Sequence, residues 1–111
     1  MKGHAMPKTS DAYLLGVNQE ELARLQFQHQ VWGQLTNAFF DRLGVGTGWH
    51  CLDVGAGPGF VAMDLRNRVG ENGVVTLLEP SQLYLDWFKK ETEAHGWSNV
   101  RCASSSPARL D

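Results

Sequence analysis

Charge of one sign is scarce here: ten Lys and Arg face twelve Asp and Glu, a formal net charge of −2. No basic run occurs, so the electrostatic footprint of a nucleic-acid-binding protein is missing and nucleic acid is not an expected partner. Long apolar runs are missing too. No stretch reaches membrane-spanning length, and residues 1–11 lack the apolar core of a secretory signal. No membrane partner is expected. Cysteine is limited to Cys51 and Cys102, with neither the spacing nor the neighbours of a metal site. They read as small reduced core residues in two predicted strands, which fits a cytoplasmic protein without a metal. What remains is a chain of 111 residues, 42% hydrophobic and 20% charged, long enough for one modest globular domain.

Residues 1–12 mix Lys, Gly, Pro, Thr and Ser and read as a flexible leader, so the domain is placed at 13–111. Asn18 with Glu21 three residues on makes a capping-box-like helix start. Leu22, Leu25, Trp32, Leu35, Phe39 and Leu43 then recur at helical spacing and predict an apolar packing face. Gly33 is a possible bend, and Gly44 to Gly48 ends the helix. His50 to Val54 reads as a strand stopped by glycine. Gly59 to Val69 carries Val61, Leu65 and Val69 at helical spacing. Val74 to Leu78 is apolar throughout, the mark of a parallel strand covered on both faces. Ser81 caps a helix that Gly96 stops, with Leu83, Trp87 and Phe88 as its expected buried side. Val100 to Ala103 begins a third strand. The order predicts an α/β fold: one half of a Rossmann-like, doubly wound parallel sheet flanked by helices.

The most informative segment is Leu52-Asp53-Val54-Gly55-Ala56-Gly57-Pro58-Gly59-Phe60. A strand that enters three alternating glycines and then a helix brings backbone close to a ligand. Gly55 permits a backbone angle closed to other residues, and Gly57 removes a side chain that would fend the ligand off. Gly59 opens a helix whose free N–H groups favour a carboxylate or phosphate. Glu79 falls at the end of the next strand, whose tip lies beside the glycine loop in this fold. A carboxylate there can accept hydrogen bonds from both ribose hydroxyls. The pair predicts a nucleoside site. A dinucleotide fingerprint would need a small residue at position 60, where Phe60 stands, which argues against NAD and FAD. No Gly-Lys-Ser/Thr follows, so an ATP-type phosphate loop is excluded.

Leu52 to Gly59 resembles the first signature of class I S-adenosylmethionine (SAM)-dependent methyltransferases, hydrophobic-Asp-hydrophobic-Gly-x-Gly-x-Gly. Val75-Thr76-Leu77-Leu78-Glu79-Pro80-Ser81 resembles their second. Tyr13-Leu14-Leu15-Gly16, with Glu21, Arg24, Leu25 and Gln28, resembles the leader helix of small-molecule methyltransferases. The resemblance runs over roughly residues 13–103. It implies SAM as cofactor, with Gly55, Ala56, Gly57 and Gly59 lining its methionine part and Asp53 orienting the loop and the amino group. Read from the residues alone, Asp53 also fits a carboxylate that only braces the loop or caps a helix. The resemblance further implies Glu79 on the ribose, with Pro80 and Ser81 flanking the adenine. Family members usually carry an acid soon after the third strand to read the adenine. Here that region is Ser104-Ser105-Ser106-Pro107, and Asp111 comes late.

The resemblance implies an enzyme that methylates a small-molecule acceptor. The alternative is a non-catalytic methyltransferase-like partner or regulatory subunit; a nucleotide-binding oxidoreductase fragment is disfavoured by Phe60. Methyl transfer chiefly needs proximity and orientation, and a base only where the acceptor must lose a proton. No catalytic base is assigned, although His29 and Tyr13 lie where they can face an acceptor. The resemblance ends before the family's acceptor loops. The domain is therefore expected to be incomplete at its C-terminus and inactive alone. Either further chain covers the free edge of the first strand or, if the chain ends at residue 111, self-association or a partner chain is expected there.

Overall fold

Asn18 starts the first helix as its side chain suggests: Oδ1 accepts the Glu21 N–H at 2.9 Å. Helix α1 (Gln19–Leu43) runs from there, through Gly33 without a break, to Gly44 in the left-handed region at φ 76°. The computed structural model describes residues 16–105. After α1 come β1 (His50–Val54), α2 (Phe60–Val69), β2 (Val74–Glu79), α3 (Gln82–His95) and β3 (Val100–Ser104). The expected leader at 1–12, Tyr13, Leu14, Leu15, Ser106, Pro107 and Asp111 lie outside the described residues.

The strands form a parallel sheet in the order β1-β2-β3, with Asp53 beside Leu77 and Glu79 beside Ser104. Both crossovers step the same way across the sheet. Right-handed connections therefore put α2 and α3 on one face. Burial agrees: Val75 and Leu77 are fully enclosed under Ala62, Leu65 and Val69 of α2 and Leu85, Trp87 and Phe88 of α3. Each fully buried large apolar side chain contributes about 1.5–3 kcal/mol. Asn99 ties this layer together at the end of α2. Its Nδ2 donates to the Arg66 and Gly70 carbonyls at 3.0 and 2.9 Å, and its Oδ1 accepts from Arg66 Nε at 2.9 Å.

Among the described residues nothing covers the opposite sheet face, where Leu52 and Val54 are 59% and 67% exposed. Two sequence expectations shift. On α1, Leu22 is buried but Trp32, Leu35, Phe39 and Leu43 are each more than half exposed. Helix α1 packs on the shorter α2 through a rotated stripe of His29, Asn37 and Phe40. Most of that seam is polar, so hydrophobic periodicity missed it. On α3, Leu85 is buried in place of Leu83, because Trp87 and Phe88 turn that face toward the sheet.

Candidate functional site

The turn after β1 is pinned to the end of β2. The Gly55 and Ala56 N–H groups both donate to the Leu78 carbonyl, at 2.8 and 3.1 Å. Gly57 follows at φ 60°, where side chains are strained, and a Cβ added there would meet nothing within 4 Å. Its hydrogen atom thus keeps open a space that a side chain would partly fill. Gly59 has a different reason. It too lies in the left-handed region, at φ 93°, but a Cβ there would overlap the Phe88 ring. It lets the start of α2 press onto α3.

Glu79 closes the loop from below. Its Oε1 accepts the Gly57 N–H at 2.5 Å and its Oε2 accepts the Ser81 N–H at 2.9 Å. The residue is only 6% exposed, so the carboxylate is built into the turn. Each oxygen still has a second lone pair. Ser81 caps α3, its Oγ accepting the Tyr84 N–H at 3.3 Å, and Pro80 is exposed. Ser105 donates its N–H to the Glu79 carbonyl at 3.3 Å, which brings this residue, just past β3, beside Glu79.

Asp53 sits two residues before the loop, on the helix-covered face of β1. Its Oδ2 is buried and accepts no hydrogen bond among the described residues. Burial, and then the Glu79 charge, push its carboxyl above the usual Asp range. An orphaned carboxylate oxygen of this kind calls for a cationic or hydrogen-bond-donating guest. The N-terminus of α2 has no side-chain cap. Its first N–H groups are thus available to an anionic guest.

Above the loop lies a cavity of about 350 Å³ that Gly55, Ala56 and Gly57 share with Leu25, His29, Trp32, Thr36 and Phe60. His29 Nε2 lies 3.0 Å from Asp64 Oδ2. Asn37 Nδ2 reaches the same oxygen at 3.2 Å, while Arg68 holds the Asn37 side chain and carbonyl at 3.1 and 2.7 Å. Asp64, Asn37 and Thr36 were not singled out from the sequence. The available signal was a pair of polar residues, His29 and Asn37, spaced eight apart so that they share one side of the helix.

The model of the ubiE/COQ5 methyltransferase family matches residues 20–111. The chain belongs to the ubiE/COQ5 methyltransferase family. No curated protein matches it. Among solved structures it is similar to a protein-L-isoaspartate O-methyltransferase, at 29% identity and TM-score 0.61, over 65% of this chain and 23% of that one. A SAM-dependent methyltransferase from Aquifex aeolicus matches at 27% identity and TM-score 0.58, over 63% of this chain and 37% of that one. A putative SAM-dependent methyltransferase from Methanococcus maripaludis shares the fold at TM-score 0.62 and 18% identity, over 93% of this chain and 45% of that one. The chain thus spans less than half the length of these structures. The neighbours fit the class I, Rossmann-like methyltransferase fold. No helix among the described residues is long and apolar enough to cross a membrane.

The residues of this ubiE/COQ5 family chain fit SAM by their chemistry. Asp53 offers an orphaned acceptor to an ammonium, α2 offers uncapped N–H groups to a carboxylate, and Gly57 leaves open space between loop and cavity. Glu79, with spare lone pairs at the tip of β2, suits a ribose.

Proposed function

We propose that this chain is the SAM-binding portion of a methyltransferase that acts on a small molecule. The observation that carries the reading is the orphaned Oδ2 of Asp53 beside an uncapped helix N-terminus. One carboxylate and one set of free N–H groups complement the zwitterionic end of an amino acid. Such an end is foreign to a dinucleotide, so the site favours a methionine-bearing nucleoside. Glu79 would hold the ribose, and Pro80 and Ser81 would flank the adenine.

When bound, SAM supplies a methyl group already activated on a sulfonium. The chain's own work is orientation, which can contribute about 7–11 kcal/mol to such a transfer. Gly57 and Glu79 fix the loop, and α1 walls the cavity into which the loop opens. A small, mostly apolar acceptor suits a cavity bounded by Leu25, Trp32 and Phe60. Calorimetric titration of the chain with SAM and, separately, with NAD tests the reading. Binding of SAM alone is expected; binding of NAD alone would reverse the assignment.

A further inference from the structure

Among the described residues, the cavity above the glycine loop is lined by one titratable side chain, His29, and by no carboxylate, lysine, tyrosine or cysteine. His29 is 24% exposed on its side chain, and its ring lies 5.7 Å from that of Phe60. Its Nε2 faces Asp64 Oδ2 at 3.0 Å. A carboxylate can only accept there, so Nε2 carries the hydrogen and, in the neutral ring, Nδ1 keeps its lone pair. No hydrogen bond to Nδ1 occurs among the described residues. Asp64 does not depend on His29 for its place, because Asn37 holds it and Arg68 holds Asn37. The seam between α1 and α2 is thus secured without the imidazole.

We propose that His29 is the proton acceptor of the methyl-acceptor pocket, with Asp64 as the positioning residue that sets its tautomer. The inference rests on the cofactor reading above and names the partner chemistry of the same cavity. The acceptor is an apolar molecule that presents one N–H or O–H group to Nδ1. As the acceptor would form its bond to the methyl carbon and the carbon–sulfur bond would break with its pair going to sulfur, the acceptor's N–H or O–H proton would pass to Nδ1 and that bonding pair would stay on the acceptor. The imidazolium so formed keeps its Nε2–H on the Asp64 carboxylate.

The test uses the full chain with ¹⁵N-labelled histidine, in the presence of S-adenosylhomocysteine. Indole and 1-methylindole serve as probes, alike in shape but with and without a donor N–H. Nitrogen NMR should show the wild-type neutral His29 ring protonated at Nε2, with its Nδ1 resonance shifted by indole. Indole should bind about five-fold tighter than 1-methylindole, the size of one hydrogen bond. His29→Ala should remove that preference, and Asp64→Ala should both redistribute the tautomer and weaken the preference. A neutral ring protonated at Nδ1, failure of both probes to bind, or a preference unchanged in His29→Ala would each overturn the assignment. If wild type fails to bind S-adenosylhomocysteine, the cofactor reading falls and this inference with it. Normal cofactor-product binding without the donor preference removes His29 alone.

Discussion

Glu79 and Gly57 are joined by a hydrogen bond from the Gly57 N–H to Glu79 Oε1 at 2.5 Å, so the acid at the end of β2 holds the turn after β1. The same carboxylate takes the Ser81 N–H at 2.9 Å. One residue thereby sets the relative position of the glycine loop and the start of α3. In the proposed site, ligand binding and loop shape would be coupled through it.

Glu79→Ala should therefore do two things. It should weaken SAM binding by about 1.5–3 kcal/mol, the range for hydrogen bonds to a charged group. It should also free the Gly57 and Ser81 amides and speed their hydrogen exchange, while helical circular dichroism persists. Calorimetry with exchange NMR checks both. Unchanged affinity in the folded variant would remove Glu79 from the site.

Gly57→Val places a branched side chain in the open space and at a φ of 60°. Strain of that kind costs about 1–3 kcal/mol. SAM binding should be lost while helical circular dichroism survives. A variant that binds SAM normally would show that the ligand does not pass over this glycine.

Asp53 gives a pH signature. Its carboxyl pKa is raised by burial and by the Glu79 charge, so the folded chain holds this proton more tightly than the unfolded chain does. Its stabilising contribution is present below the unfolded Asp pKa and is lost as pH rises through the raised folded value. At neutral pH the ionised group therefore destabilises the free protein. A bound ammonium reverses that preference. Affinity for S-adenosylhomocysteine should rise with pH through the acidic range above the ordinary Asp value. Asp53→Asn should flatten this profile, weaken binding, and raise the melting temperature of the ligand-free chain at pH 7. A profile identical in wild type and Asp53→Asn would show that the carboxylate does not meet the ligand.

The uncovered sheet face predicts self-association. Leu52 and Val54 are 59% and 67% exposed on a strand whose outer edge is unpaired among the described residues. Apolar faces and unpaired edges of this kind associate. Sedimentation of the 111-residue chain should show concentration-dependent assembly, reduced in the Leu52→Lys, Val54→Lys double variant. Monomeric behaviour of wild type at all concentrations would count against an exposed face.

The strand–glycine–helix alternation was legible because glycine and β-branched residues mark their own backbone states. His50–Val54 and the Ser81 cap fell where the sequence placed them. The inward side of α1 was not legible. Its contacts with α2 run through His29 and Asn37, and partners such as Asp64 and Arg68 lie 27 to 35 positions away, beyond any local pattern. The burial of Glu79 was hidden for a related reason. An acid at a strand tip reads as ligand-facing, and only the fold shows two backbone amides converging on it.

The most direct test is an experimental structure of the chain with S-adenosylhomocysteine. The account places the ligand's ammonium within hydrogen-bond distance of Asp53, its carboxylate at the N-terminus of α2, and its ribose hydroxyls on Glu79. A ligand bound away from the glycine loop, or with Asp53 still unpartnered, would contradict it.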